Sequence, residues 1–236
     1  NLFAGSNEVV KKRDDAFVSQ ITVLTLAGQP EKAVEYLSGK QFSYREGSSR
    51  VRDVIIDAHL MAGRNYLKEK NFKKALEHFQ LAQIPDEEGG SAHSGAREVQ
   101  VDYYTGPAYE GLGNRSKTKA CFIKSSAPAL NEESYIRYYQ GMSQLKLGNN
   151  TKAKEIFNSM VSSADRLIIS RSGETTDFFA KFGGQETENT LLSNAYLLKG
   201  LGLKGLGDKD KARENLMKAT ELSTGNLYAG IELSDL

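Results

Sequence analysis

The chain has 236 residues, and its 31 Lys and Arg stand against 30 Asp and Glu for a formal charge of +1. That balance leaves no basic excess for a nucleic-acid surface, and the local run Lys11-Lys12-Arg13 meets Asp14-Asp15 at once. A single cysteine, Cys121, allows neither an intrachain disulfide nor a thiolate metal cluster, and no stretch approaches the roughly 18 uninterrupted apolar residues of a membrane span.

Apolar periodicity and turn signals predict helices at 9–27, 30–39, 50–69, 72–83, 97–112, 115–126, 132–147, 150–169, 188–206, 209–222 and 226–234. The first two flank Gly28-Gln29-Pro30-Glu31-Lys32-Ala33. The same clause returns as Lys70-Asn71-Phe72-Lys73-Lys74-Ala75, Gly113-Asn114-Arg115-Ser116-Lys117-Thr118, Gly148-Asn149-Asn150-Thr151-Lys152-Ala153 and Gly207-Asp208-Lys209-Asp210-Lys211-Ala212. Each reads as a turn followed by a helix start. Asn71, Asn114, Asn149 and Asp208 fall at the N-cap, where a short side-chain oxygen accepts from amides that have no partner inside the helix. In the first unit Gln29 takes that place, and Pro30 follows where its missing N–H costs nothing.

Ala33, Ala75, Thr118, Ala153 and Ala212 anchor a wider pattern. One helical turn later stand Leu37, Phe79, Phe122, Phe157 and Leu216; in the helix before the turn stand Ile21, Gly63, Gly106, Gly141 and Gly200. A small residue lets two antiparallel backbones touch, and the large residue on the same face fills the space between hairpins. The order of small residue, tyrosine-like residue, Ala, aromatic and second Ala, with Pro85 and Pro128 closing two units, resembles the tetratricopeptide repeat. The expected fold is an all-α right-handed superhelix of about five hairpins (9–39, 50–83, 97–126, 132–169 and 188–222), capped by 226–234, forming one repeat domain over 1–236. Most anchor intervals exceed the tetratricopeptide period of about 34 residues. The excess predicts insertions at 39–49, 86–95 and, the longest, 164–189.

A narrower likeness is carried by Arg13-Asp14-Asp15, Gly28 to Leu37, Phe42 to Gly47, Tyr66 to Phe79, Tyr103 to Asn114, Asp177-Phe178-Phe179-Ala180 and Tyr196 to Glu214. These stretches resemble the C-terminal repeat region of a family of long bacterial proteins with an N-terminal β-rich domain similar to domains beside carbohydrate-active enzymes. The resemblance implies a non-catalytic module that binds a protein, a peptide or its own upstream domain, or else one that shapes a carbohydrate site on that domain. It carries no catalytic residues. A start at Asn1-Leu2-Phe3, with no initiator Met, reads as a piece of something longer. Neither the cytoplasm nor the periplasm is excluded.

Several motifs invite chemistry and read better as structure. Gly200-Leu201-Gly202-Leu203-Lys204-Gly205 matches the dinucleotide fingerprint, but that fingerprint needs a preceding strand, and Tyr196 to Lys199 continue a helix. The expectation is no cofactor, a close contact at Gly200, and replaceable glycine at Gly202 or Gly205. His59 is expected on an inward, buried face, His78 on a solvated flank and His93 in a polar loop, none with metal-site spacing. Cys121 has no sequence neighbour to activate it. The pairs Glu87-Glu88 and Glu132-Glu133 look solvated, and Ser48-Ser49, Ser125-Ser126 and Ser162-Ser163 lack a nucleophile-elbow context.

What remains is surface. The outer residues of each first helix would line a concave groove: Arg64, Tyr103, Tyr135, Tyr138, Met142, Asn194 and Lys204 are its candidate partner-binding residues. The Lys and Asn pair with which chaperone adaptors of this fold clamp a carboxylate is replaced by Leu60 and Arg64, Tyr103 and Pro107, Tyr138 and Met142. A second candidate is a docking loop with Phe178, Phe179 and Phe182, three aromatics in five residues that need cover.

Overall fold

The computed structural model describes residues 13–38, 48–83, 94–172 and 184–236. They hold eleven helices and no strand: α1 Asp14–Leu26, α2 Pro30–Leu37, α3 Ser48–Lys68, α4 Phe72–Leu81, α5 Ser94–Gly111, α6 Arg115–Ser126, α7 Arg137–Lys146, α8 Asn150–Ser172, α9 Gly184–Leu206, α10 Lys209–Leu222 and α11 Leu227–Ser234. The chain divides into two compact units, Asn1–Cys121 and Phe122–Leu236, with the division inside α6.

The recurring clause is one piece of stereochemistry built five times. Its first residue is left-handed at every occurrence: Gly28 (φ 72°), Lys70 (59°), Gly113 (75°), Gly148 (83°) and Gly207 (89°). The next residue donates its N–H back to the carbonyl five residues earlier: Gln29 to Leu24 (2.9 Å), Asn71 to Tyr66 (2.8 Å), Asn114 to Tyr109 (2.9 Å), Asn149 to Gln144 (2.8 Å) and Asp208 to Leu203 (3.0 Å). This is the Schellman closure, which satisfies the last carbonyls of the first helix. The donor is at once the N-cap of the second helix, so one residue ends a helix and the next begins one. The side chains of Asn71, Asn114 and Asp208 accept from Lys74, Lys117 and Lys211 N–H as expected. Asn149 instead donates its amide to Gln144 Oε1 at 2.8 Å.

In the first unit, Phe17, Ile21, Ala33 and Ala58 form a buried cluster, flanked by Leu24, Val34, Leu37 and Val54. In the next hairpin Ala75 and Phe79 are fully buried. The Phe79 ring lies against Gly63, where any Cβ would collide with it, and Phe72 covers Gly111 in the same way. Arg97 enters this interior on α5, paired with Asp57 and with Asp53 at 3.6 Å. Gln100, one turn on, is fully buried, and its amide finds no partner among the described residues.

In the second unit Ala153, Phe157, Met160 and Ala164 line α8, and Ala212, Leu216 and Ala219 line α10; all are fully buried. A Cβ on Gly200 would stand 2.7 Å from Leu216 Cγ, so the expected close contact exists. The expectation of a spare glycine beside it is overturned. Gly205 is packed flat against the Phe157 ring, and a Cβ on Gly202 would lie 2.8 Å from Val161 Cγ2 and 2.9 Å from the Phe157 carbonyl. Gly200 serves the hairpin's own partner helix, while Gly202 and Gly205 serve the helix before it.

Several boundaries differ from expectation, among them the start of α1 at Asp14 rather than at 9. The first helix of the fourth hairpin begins at Arg137 rather than at 132, because Arg137, Tyr138 and Tyr139 first make short i→i+3 bonds to Ser134, Tyr135 and Ile136. The longest insertion is partly helix: α8 runs on to Ser172 and α9 starts at Gly184. Of the insertions at 39–49 and 86–95, residues 48–49 and 94–95 open α3 and α5; the rest, with Lys40, Glu87, Glu88 and His93, lies outside the described residues.

Candidate partner-binding surface

The groove residues of the first unit are turned inward. Arg64 is 7% exposed; its Nη1 donates to Tyr104 Oη at 2.8 Å, and its guanidinium lies 5.1 Å over the Tyr104 ring. Tyr103, half-buried, meets Tyr104 edge-on with centroids 5.2 Å apart. On this hairpin the structure corrects the reading of His78. It is half-buried, and its Nδ1 sits 3.2 Å from Nδ1 of the buried His59. The ring centroids are 5.4 Å apart, so the nitrogens face each other nearly along the line joining the rings. That is the geometry of one N–H donating to one lone pair, and it fixes one ring as donor and the other as acceptor. Burial pushes the His59 imidazole down to about 4, and the neighbouring His78 adds to the effect. Burial also lowers His78, against the opposing pull of Glu31 and Glu77 and with the help of Lys74. Tyr66 stacks on His78 at 5.3 Å.

In the second unit the candidate groove residues lie on α7, α9 and the turn before α7. Tyr138 is 6% exposed and wedged between Tyr139 and Phe157, with centroids 5.3 and 6.0 Å away, so it belongs to the hairpin's interior. Met142 is half-buried on α7, and Asn194 is exposed on α9. Tyr135, Asn194 and Lys204 come together under one element, the C-terminal helix α11. The Tyr228 ring lies 5.0 Å from Tyr135. Asn226, the N-cap of α11, donates to Asn194 Oδ1 (3.3 Å) and Ser193 Oγ (2.8 Å). Lys204 Nζ meets Glu232 Oε2 at 2.8 Å and donates to the Glu232 carbonyl at 3.1 Å, while Tyr139 Oη donates to Glu232 Oε1 at 3.3 Å. Glu232 is 4% exposed. Helix 226–234 was expected to cover the final hairpin; it also reaches the first helix of the hairpin before.

Sequence reasoning missed Tyr139, Tyr228, Glu232 and the His59–His78 contact. Tyr228 and Glu232 stand one helical turn apart, which was the available signal for the first two partners of the groove. The docking residues Phe178, Phe179 and Phe182 lie outside the described residues. Glu132 makes an exposed ion pair with Arg166 at 3.3 Å, and Ser125 is buried, with Ser143 Oγ donating to its Oγ at 2.8 Å. Cys121 is buried. Among the described residues no group of three His, Cys, Asp or Glu is placed to hold a metal ion, and no helix is long and apolar enough to cross a membrane.

Comparison with curated proteins and with solved structures gives no match. Two family models, each described as a tetratricopeptide repeat, match residues 135–164 and 193–226. The first spans α7 and most of α8; the second spans most of α9 and all of α10, and ends one residue before α11 opens. Both matches fall on the last two hairpins; of the side chains gathered under α11, Tyr139, Asn194 and Lys204 lie on the first helices of these hairpins and Tyr135 in the turn before α7.

Proposed function

We propose that the chain is a non-catalytic interaction module of a larger bacterial protein, taking a protein or peptide on the inner face of its first helices. Tetratricopeptide repeats present such concave surfaces to partners. The observation that carries the reading is the composition of this face in the second unit: Tyr135, Met142, Asn194 and Lys204 combine aromatic area with directed polar groups, the mixture that dominates protein interfaces. The partner is a separate protein or another domain of the same polypeptide. Nothing in this arrangement pairs a nucleophile with a base or sets two carboxylates apart in acidity, so the reading includes no reaction.

A photo-crosslinking residue placed at Met142 in the full chain tests this, with the same residue at the exposed Lys218 of α10 as the control. A discrete protein adduct from position 142, absent from 218, is the expected result. Adducts equal at both positions, or none at 142, would remove the groove from the mechanism.

A further inference from the structure

The inner face of the second unit already holds a helix. Resting on the groove reading above, we infer that α11 is a displaceable ligand in cis, and that the partner is a protein helix presenting Tyr and Glu one turn apart.

The position of α11 supports this first. It opens at Leu227, directly after the repeat matched over 193–226, where the first helix of a further unit would start. Such a helix needs only to pack on its neighbours. Helix α11 goes further: Tyr228 and Glu232 reach past α9 to Tyr135 and Tyr139 at α7. It covers Tyr135, Asn194 and Lys204, which the groove reading assigns to a partner.

The chemistry supports it second. An end cap requires apolar cover inside and polar groups outside. Here a carboxylate is inside, held by an ammonium and a phenol. Burying a charge gains little stability over an apolar contact, but it fixes register and orientation. Tyr228 gives aromatic contact and Glu232 gives direction, so the socket of Tyr135, Tyr139 and Lys204 reads a Tyr-x-x-x-Glu face. Third, α11 has eight residues and follows a link, Ser223-Thr224-Gly225-Asn226, that contains glycine. A helix this short does not persist in water by itself, so its release unfolds it, and a longer helix of the same face competes at an advantage.

The test uses the full chain. Tyr228→Ala with Glu232→Gln weakens α11 and leaves the socket intact. A fluorescein-labelled peptide of residues 223–236 in the natural sequence is titrated into wild type and variant. Wild type carries its own competitor at an effective concentration in the millimolar range. The variant is expected to bind the peptide at least about tenfold more tightly than wild type. Glu232→Gln in the peptide, or Lys204→Met in the variant chain, should each remove about tenfold or more. A helical, cooperatively melting variant that does not bind, or binding indifferent to Lys204, overturns the proposal. So does a variant that doubles in mass by exchanging α11 between copies, since the occupant is then a second chain. If the variant does not fold, amide exchange in wild type decides: α11 exchanging about a hundredfold faster than α9 and α10 supports a displaceable helix, and equal protection overturns it. A crosslinked partner that the peptide cannot displace would defeat this inference alone; peptide binding with no partner adduct at Met142 would defeat the proposed function alone.

Discussion

Replacing Gly205 by Ala should destabilise the protein, although Ala is the better helix former. Phe157 is fully buried, and its ring is in contact with glycine on both sides, Gly141 on α7 and Gly205 on α9. A methyl group at 205 would overlap the ring at Cγ, Cδ1 and Cε1, and the ring has no room to retreat because its Cε1 and Cζ already touch Gly141. Forcing an extra carbon into a closed core costs about 1–3 kcal/mol. Helix propensity returns up to about 1 kcal/mol. The net expectation is a loss of roughly 1–2 kcal/mol, or some 2–8 °C in Tm for a chain of this size. Gly230, in α11, supplies the control, because a Cβ there meets nothing within 4 Å. Gly230→Ala should gain up to about 1 kcal/mol. Urea melts of the two variants should therefore move in opposite directions. Phe157→Leu combined with Gly205→Ala should cost clearly less than the sum of the single changes, with a coupling of about 1 kcal/mol or more. A Gly205→Ala protein that melts at or above wild type, or strict additivity in the double variant, would refute the reasoning.

Lys70 is the one left-handed position of the five turns not occupied by glycine. Lys70→Gly should stabilise by roughly 0.5–1 kcal/mol, the relief of the left-handed cost less the added freedom of the unfolded chain, and a lower Tm would count against the turn geometry. The buried His59, held neutral, should make stability fall with acidity. The unfolded state takes up a proton near 6.5 and the folded state only near 4, so stability rises with pH across that window and is flat below it for this group. The loss from the upper end to the lower is about 3 kcal/mol at most. Denaturant midpoints of wild type and His59→Leu should diverge between these limits, and parallel pH profiles would show that His59 titrates normally. Gln100→Met should raise the melting point by the equivalent of about 1 kcal/mol, since it removes a buried amide with no partner among the described residues; a clear loss would mean that the amide is satisfied.

The parts of this fold that were legible in advance are governed by neighbours along the chain. A left-handed residue followed by an N-cap favours glycine and then Asn or Asp, and the clause repeats accordingly except at Lys70 and Gln29. A small residue in one helix and an aromatic in the next follow from the 3.6-residue turn, so Gly63 under Phe79 and Gly141 under Phe157 could be paired by counting. Counting fails where the partner comes from another hairpin. Gly205 looks spare by counting because Phe157 is remote in sequence, on the hairpin before. The groove shows the same division. Its residues could be named from position, but not which of them are consumed in packing, Arg64 against Tyr104 of the next hairpin and Tyr138 inside its own, and which lie under α11.

Local stereochemistry and helical period thus determined, from the sequence by itself, that the chain folds as helical hairpins and where each turns. Only the tertiary structure decided that Glu232 lies buried between Lys204 and Tyr139. A buried charge survives only where packing brings its partners to it, and those partners are chosen by how hairpins stack, which no spacing along the chain encodes.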